Sequence, residues 1–165
     1  MSSPPYSGHR EALVTGARVQ PVLVTGATGR VGRAVIAQLL GAGVPVRALT
    51  RRPDAAGLPA AVEIVSGDLT VPESLDAGLQ GVGAVFLVWT APPTTVPAVV
   101  ERLASHARRV VFLSSPHRTP HPLFQQPNPM AALHADIERL IATAGFASTI
   151  VRPGIFASNA TTANA

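Results

Sequence analysis

One stretch, residues 21–40, constrains the fold of this chain more than any other, and it reads PVLVTGATGRVGRAVIAQLL. It opens with the apolar run Val22–Val24, which is too short for a globular helix and β-branched enough for a buried strand. Glycines follow at positions 26, 29 and 32, and apolar residues then recur at helical spacing from Val31 until Gly41. The pattern predicts a strand, a glycine turn and a helix in immediate succession.

The three glycines have a physical purpose in this setting. A pyrophosphate bound at a helix N-terminus lies against bare backbone N–H groups, where the helix dipole favours negative charge. Gly26 can supply the tight turn, Gly29 the close approach of the backbone, and Gly32 the close contact between helix and strand. A strand–turn–helix whose glycines serve packing alone is the alternative, but strand, turn and helix together favour a dinucleotide site.

The remaining chain continues to alternate between strand and helix patterns. Further strands are predicted at 44–50, 62–65, 83–88, 110–113 and 148–151, helices at 72–79, 94–107 and 129–144, and a proline-rich loop at 116–129. Parallel strands joined by right-handed crossover helices form a doubly wound α/β sheet, so we expect a single Rossmann-type domain with strand order 3-2-1-4-5-6. Its ligand should lie at the carboxyl ends of strands one and four.

Composition narrows the class of protein further. The chain has 165 residues, 47% of them hydrophobic and 13% charged, which suits one globular domain. It has no cysteine, and His117 and His121 alone are too few ligands, so we expect no metal site. No apolar run reaches the ~18 residues of a membrane span and no signal pattern opens the chain, so we expect a cytoplasmic protein. All 13 basic residues are arginines without a basic stripe, which gives no support to nucleic-acid binding.

Charged residues after the second and third strands bear on cofactor choice. An NAD-selective fold places an acidic residue after the second strand, whereas this chain has Arg51 and Arg52, a pair suited to a 2′-phosphate. A solvated surface pair is the alternative. Asp68 could accept the adenine amino group, or it could simply form the turn after Gly67.

Polar residues near the last two strands are candidates for catalysis. His134 and Glu138 lie one turn apart, beside a stripe predicted to be buried that comprises Leu133, Ile137, Leu140 and Ala144. A histidine oriented by a carboxylate could donate a proton to a reduced product, whereas an i,i+4 surface pair is the alternative. Ser114 and Ser115 end the fifth strand, where a hydroxyl could meet substrate or nicotinamide, or could cap a loop.

Seven motifs in a fixed order then point to a family. They are TGATGRVG, LTRRP, GDL, LVWTAP, VVFLSS, a helix with His134-x-x-x-Glu138, and TIVRPGIFASN. Across about residues 21 to 159 the chain resembles the NmrA-like group of atypical short-chain dehydrogenase/reductases. The resemblance implies binding of NADP(H) or NAD(H). Some members reduce quinones or other small carbonyl or ene substrates, and others are non-catalytic redox sensors.

The resemblance also assigns roles to residues of this sequence. Those expected to cradle the pyrophosphate are Gly26, Thr28, Gly29, Arg30, Val31 and Gly32. Those expected to border the adenine or line the ribose are Asp68, Leu69, Val88, Trp89 and Thr90. Those expected to close over the nicotinamide are Pro153, Gly154, Ile155 and Phe156.

Two departures from the family pattern stand out. Family members usually continue into a substrate-side lobe, whereas this sequence ends at Ala165, so a fragment, a frameshifted product and a true short form all stay open. We expect a loose tail over 1–20, the cofactor domain over 21–159 and a polar tail over 160–165. The Tyr-x-x-x-Lys pair of typical reductases is absent, because the one tyrosine is Tyr6 and there is no lysine; the matching positions are His134 and Glu138.

The sequence therefore predicts an oxidoreductase that prefers NADP(H) to NAD(H) and passes hydride to a small electron-poor quinone, enone or carbonyl. Its candidate catalytic residues are His134, Glu138 and Ser114. A non-catalytic NADP(H) sensor and a cofactor-fold isomerase or cyclase are the alternatives. Ile150, Ile155 and Phe156 leave apolar surface beside the last strand, which favours a homodimer.

Overall fold

A computed structural model of the chain describes residues 19–115 and 129–153. Its strands are β1 (Val22–Val24), β2 (Val46–Thr50), β3 (Glu63–Ser66), β4 (Ala84–Val88), β5 (Arg109–Leu113) and β6 (Ala147–Val151). Its α-helices are α1 (Arg30–Gly41), α2 (Asp76–Leu79), α3 (Val96–His106) and α4 (Pro129–Thr143). Short 3₁₀ turns lie at Pro53–Ala55, Pro72–Leu75 and Pro93–Thr95.

The six strands form one parallel sheet in the order β3-β2-β1-β4-β5-β6, which confirms the predicted Rossmann-type topology. In β1, Leu23 pairs with Arg47 of β2 on one side and with Val85 of β4 on the other. The chain therefore winds outward in both directions from β1 and β4. A crevice opens at their carboxyl ends, where such sheets bind their ligands.

Successive residues of a strand point to opposite faces, and each face of this sheet has its own apolar cluster. Leu23, Val85 and Phe112 belong to the larger cluster, which also contains residues of α2, α3 and α4. Val24 and Ala48 belong to the smaller cluster. Among the described residues, Ile36 of α1 is the one α-helical residue that is fully buried in this cluster. The sheet is therefore covered by three helices on one face and by α1 on the other.

Coverage of the α1 face is uneven along the sheet. Across β4, β5 and β6, the paired residues Leu87, Phe112 and Ile150 lie on the α2–α3–α4 face, where the first two are fully buried. On the α1 face, Val151 of β6 is 40% exposed. Parallel sheets are ordinarily covered on both faces. The β6 end of the α1 face is therefore open among the described residues.

Helix α4 packs differently from the prediction. Of the predicted stripe, Ile137 is buried and Leu133 and Ala144 pack against the larger cluster, but Leu140 is 37% exposed, so the prediction was wrong for Leu140. The buried residues are His134, Ile137, Glu138 and Ile141. A hydrophobic periodicity does not anticipate buried polar residues, because their burial depends on hydrogen-bonding partners elsewhere in the fold. The predicted surface pair of His134 and Glu138 is therefore a buried one.

Smaller differences concern where elements begin. The helix predicted over 72–79 is a 3₁₀ turn, Pro72–Leu75, followed by the single turn α2. Strand β2 begins at Val46 and not at residue 44, since Pro45 lacks the N–H needed for the ladder. The predicted loop falls on residues 116–128, outside the described part of the chain, and Pro129 is already helical.

Candidate functional site

The glycine turn between β1 and α1 needs glycine at the positions the motif indicated. Gly26 has φ +59°, a left-handed conformation, and a Cβ there would lie 2.9 Å from Cβ of Val88. A Cβ on Gly32 would lie 2.3 Å from the carbonyl oxygen of Gly26, well inside van der Waals contact. The N–H of Gly29 donates to that same oxygen at 3.0 Å. A side chain at position 32 would therefore displace α1 from the turn, and one at position 26 would press against Val88 of β4.

The N-terminus of α1 is arranged to receive an anion. The helix begins at Arg30 after Gly29, which caps it in an extended conformation without a side-chain hydrogen bond. Its first turn contains no acidic residue. The first backbone N–H groups of a helix have no intrahelical acceptor, and the dipole makes this end positive. A phosphate could therefore accept hydrogen bonds here without a competing carboxylate.

A cleft of about 370 Å³ lies against this turn, at the carboxyl ends of β1 to β4. This volume falls within the range of natural ligand sites. Its lining residues come from four stretches of the chain: Thr25–Gly32, Leu49–Arg51, Gly67–Leu69, and Val88 with Thr90. All six residues expected to hold the pyrophosphate are among them.

Thr25, a residue to which the sequence analysis gave no role, joins β1 to β4 at the crevice between them. Its Oγ1 donates to the carbonyl oxygen of Val88 at 3.0 Å and accepts from the N–H of Val88 at 2.7 Å. The side chain is 2% exposed. It thereby extends the bonding of β1 to β4 beyond the backbone ladder, at the point where the strand order reverses. A threonine directly after a buried strand was the available signal.

The arginine pair after β2 divides between two positions. Arg51 lines the cleft, whereas Arg52 is exposed and is not among the lining residues. The backbone N–H of Arg52 donates to Thr50 Oγ1 at 3.2 Å, which turns the chain away from the strand. Arg51 is therefore the better placed of the two to contact a bound anion.

Asp68 adopts the turn-forming role that was one of its two predicted alternatives, and it lines the cleft as well. Its Oδ1 accepts a hydrogen bond from the N–H of Thr70 at 2.9 Å, and the backbone N–H of Asp68 donates to Ser74 Oγ at 2.8 Å. Leu69 beside it is buried and also lines the cleft. Because Oδ1 is engaged, Oδ2 is the oxygen left to meet an adenine amino group.

The residues at the carboxyl end of β4 are not all brought to the cleft. Val88 and Thr90 line it, but Trp89 is 8% exposed and belongs to the larger apolar cluster. Its Nε1 donates to the carbonyl oxygen of Ala91 at 2.6 Å. Alternation along an extended segment explains the difference, because the middle residue points to the opposite face. Trp89 therefore packs in the core.

A second polar cluster joins the ends of β5 and β6 to α4. The hydroxyl of Ser114 donates to Oε1 of Glu138 at 2.5 Å, and Arg152 Nε donates to the same oxygen at 2.9 Å. A terminal nitrogen of Arg152 also pairs with Oε2 of Glu138. Ser114 is 4% and Glu138 9% exposed. A carboxylate with this donor set is held as the anion, which accepts hydrogen bonds and cannot donate a proton.

The sequence analysis gave Arg152 no role, and this partnership was missed. The hydrogen bond to Glu138, supported by its charge, raises the pKa of Arg152 above its ordinary value. The Arg152 guanidinium therefore stays charged at every pH below its ordinary pKa, and its contribution to the pair is lost as pH rises through the raised value. An acidic residue on the preceding helix and an arginine after the next strand were the signals available.

His134 lies on the same buried face of α4. Its ring meets that of Phe112 edge to face, with centroids 5.5 Å apart and an interplanar angle of 84°. The neighbouring Ser115 has a buried Oγ without a hydrogen-bond partner among residues 19–115 and 129–153. Pro153 follows Arg152 and is half-buried, whereas Gly154, Ile155 and Phe156 lie outside the described residues.

The described residues form neither a membrane-spanning helix nor a cluster of metal ligands. None of their helices has the length and apolar character needed to cross a membrane. Within the same residues, no group of three metal-ligating side chains comes together.

Comparison with known proteins agrees with this geometry. The sequence model of a family described as NAD(P)H-binding matches residues 26–165. The chain belongs to this family. The resemblance to NmrA-like, atypical short-chain dehydrogenase/reductases is thereby confirmed, and several of the relatives are reductases.

Two curated relatives each align over 144 residues. A (4-alkanoyl-5-oxo-2,5-dihydrofuran-3-yl)methyl phosphate reductase from Streptomyces griseus is 36% identical, over 84% of this chain and 49% of that protein. An NAD(P)H azoreductase from Xenophilus azovorans is 32% identical over the same shares. The chain thus spans about half the length of these two relatives.

A solved structure of similar fold carries a nucleotide cofactor. Triphenylmethane reductase from Citrobacter, complexed with NADP(H), superposes with a TM-score of 0.69 and 26% identity, over 84% of this chain and 51% of that one. The cleft described above fits such a group by its own features. Gly26 and Gly32 leave the backbone bare where a Cβ would clash, and the N-terminus of α1, which has no side-chain cap, points towards it.

Proposed function

We propose that the chain binds NADPH in this cleft and forms the cofactor-binding part of an oxidoreductase acting on a small electron-poor quinone, enone or carbonyl. One observation carries the proposal: the bare glycine turn and Arg51 line the same cleft. A turn that receives a pyrophosphate and a cation beside it match the two anionic groups of NADPH. In this proposal the chain works in the cytoplasm, with neither nucleic acid nor membrane as a partner.

Each group of the chain has a role in the proposed complex. The turn and the first N–H groups of α1 hold the pyrophosphate, Arg51 with Arg52 holds the 2′-phosphate, and Asp68 with Leu69 borders the adenine. Val88 and Thr90 line the ribose. Pro153, Gly154, Ile155 and Phe156 cover the nicotinamide. The nicotinamide, when bound, supplies the hydride, while the protein binds and orients it.

The cluster at β5 and β6 is proposed to serve the reacting end of the cofactor. Glu138, held as the anion by Arg152, fixes the Ser114 hydroxyl at the carboxyl end of the sheet. Ser115 offers a buried hydroxyl whose hydrogen-bonding capacity is unused among the described residues. His134 is the proposed proton donor, since a ring N–H of an imidazole can pass a proton to a reduced product. Glu138 is thus assigned a positioning role and not that of an acid.

Cofactor titration of the purified chain tests the proposal. We expect NADPH to bind more tightly than NADH, and NADPH to be oxidised when a quinone, enone or azo compound is added. Arg51→Ala should weaken NADPH binding by about 1.5–3 kcal/mol for each charge-assisted hydrogen bond lost and leave NADH binding nearly unchanged. Arg52→Ala, outside the lining residues, should have the smaller effect. Arg139→Met, at a 77% exposed side chain of α4, is the matched control for loss of an arginine charge.

The outcomes separate the candidate functions. Binding of NADPH with oxidation of the cofactor supports the reductase. Tight binding without turnover on the whole panel would favour a non-catalytic NADP(H) sensor, and turnover of a substrate without net oxidation would favour an isomerase or cyclase. Absence of binding to either cofactor would refute all three. Equal weakening of NADPH and NADH by Arg51→Ala would remove the 2′-phosphate assignment.

We also propose that a second copy of the chain covers the open part of the sheet. On the α1 face of β4 to β6, the paired residues Val88 and Leu113 are half-buried, whereas Val151 on the edge strand is exposed. Exposed apolar surface and an unpaired strand edge both favour association. A two-fold arrangement would pair the same edge on both copies.

A further inference from the structure

Arg33 makes an unusual set of contacts for an exposed helical residue. It lies one turn into α1, and its guanidinium donates three hydrogen bonds, all to backbone carbonyl oxygens. Nε bonds to Thr28 at 3.0 Å, and the two terminal nitrogens bond to Gly57 at 2.6 Å and Ala56 at 2.8 Å. A guanidinium has donors fixed in a plane, so such a set defines the relative position of its acceptors.

These acceptors belong to two different parts of the cleft wall. Thr28 lies inside the glycine turn, at the pyrophosphate end. Ala56 and Gly57 lie in the segment 51–58, which starts at Arg51 and continues through the 3₁₀ turn Pro53–Ala55. Arg33 is therefore a link between the turn that would hold the pyrophosphate and the segment that carries the proposed 2′-phosphate ligand.

The segment itself is shaped to present its carbonyls to Arg33. Gly57 has φ +55°, a left-handed conformation that residues other than glycine rarely adopt. Ala56 is 1% exposed, so the segment is anchored next to Gly57. Hydrogen bonds from a charged donor are stronger than those between neutral groups. The guanidinium thus fixes the far end of the segment while β2 fixes its beginning.

We propose that Arg33 is a positioning residue for cofactor selectivity, which holds segment 51–58 against the glycine turn so that Arg51 faces the 2′-phosphate. The inference rests on the proposed binding of NADPH. Arg33 donates its hydrogen bonds to backbone oxygens of the chain, and in this proposal it acts on the cofactor only indirectly, through Arg51. Its loss therefore weakens NADPH binding more than NADH binding, since NADH lacks the phosphate that Arg51 would meet.

A double-mutant cycle measures this coupling. Arg33→Met should weaken NADPH binding about tenfold in the wild-type background and NADH binding by much less. In an Arg51→Ala background, Arg33→Met should produce no further NADPH-specific loss, because the residue it positions is gone. Arg33→Lys, which keeps the charge without the planar donors, should behave like Arg33→Met. Arg139→Met serves as the control and should leave both affinities unchanged.

Hydrogen exchange of the cofactor-free chain gives a second readout. Arg33→Met should accelerate exchange at the amides of residues 52–58 and leave the amides of β4 and β5 unchanged. A merely structural role for Arg33 would instead lower protection across the sheet and weaken both cofactors equally.

Failure of this proposal differs from failure of the proposed function. If wild-type chain prefers NADPH and Arg33→Met keeps that preference, or if the effects of Arg33→Met and Arg51→Ala simply add, the Arg33 proposal is overturned alone. If wild-type chain binds both cofactors equally, the 2′-phosphate assignment fails and takes the selectivity role with it.

Discussion

At the scale of single residues, the glycine turn could be predicted almost completely from the sequence. Gly26, Gly29 and Gly32 are needed for backbone reasons that act over a few residues, so their spacing carries the information. Thr25 and Arg33 could not be anticipated in the same way. Their partners, Val88 and the Ala56–Gly57 carbonyls, are brought to them only by the folding of the sheet.

Gly32 offers the sharpest test of the turn. A Cβ at this position would lie 2.3 Å from the Gly26 oxygen, so Gly32→Ala must push α1 away from the turn. We expect it to destabilise the chain by about 1–3 kcal/mol and to weaken NADPH binding severely. Gly41→Ala is the matched control in the same helix, since a Cβ there has nothing within 4 Å.

Chemical denaturation of both variants gives their free energy of unfolding, and cofactor titration gives their affinity for NADPH. Gly41→Ala should be neutral or stabilising by up to about 1 kcal/mol, because alanine is the better helix former. Normal stability and normal cofactor binding in Gly32→Ala would show that the close contact between turn and helix is not required.

Ser114 tests the second polar cluster. Its hydroxyl is buried and donates to a carboxylate, so Ser114→Ala should destabilise the chain by about 1–2 kcal/mol. Ser105→Ala is the control, because that hydroxyl bonds to the Glu101 carbonyl on an exposed helix surface and should contribute less than about 0.5 kcal/mol. Equal effects in urea denaturation would mean that the Ser114–Glu138 bond contributes no more than a surface contact.

At the scale of elements, the order of the six strands and four α-helices followed from hydrophobic periodicity and from glycine and proline positions, whereas the 3₁₀ turns did not. The orientation of α4 about its axis did not follow. Periodicity assigned the buried face to apolar residues alone, whereas two of its four buried residues are His134 and Glu138. Their burial is made possible by partners from other elements, Phe112, Ser114 and Arg152, which no local pattern reveals.

The buried face of α4 carries a prediction about catalysis. Phenylalanine can replace the His134 ring against Phe112, so His134→Phe should keep the packing of the helix while removing the titrating group. If His134 donates a proton, turnover should fall ~100-fold and the NADPH dissociation constant should not change. Turnover equal to that of wild type would leave His134 as a packing residue, and loss of NADPH affinity would place its role in cofactor binding.

At the scale of the whole molecule, the described residues form the proposed cofactor cleft. Local sequence pattern could not predict what covers the α1 face of β5 and β6. Apolar residues near the last strand suggested association, but Ile150 is partly buried against the larger cluster. The exposed apolar residue of that strand is Val151, on the opposite face.

The proposed association is tested by sedimentation at micromolar concentration, with and without NADPH. We expect a dimer, and we expect Val151→Glu to dissociate it because a charge would be buried at the shared edge. Val71→Glu is the control, since Val71 is 50% exposed and lies after β3, at the other end of the sheet. A monomer under both conditions would refute the shared edge and shift preference from the reductase towards a cofactor-binding module.

The central place of β1 also has a consequence for how the chain acquires its structure during synthesis. Strand β1 leaves the ribosome before the other described strands and has two neighbours, of which β4 begins only at Ala84. Until that point one edge of β1 is unsatisfied, and closing it requires a long-range parallel pairing of the kind that forms slowly. The glycine turn at Gly26 packs fully only after Val88 has been synthesised and has paired beside it. A nascent chain halted before β4 would contain the whole glycine motif and still lack the strand that packs against it and completes the cleft.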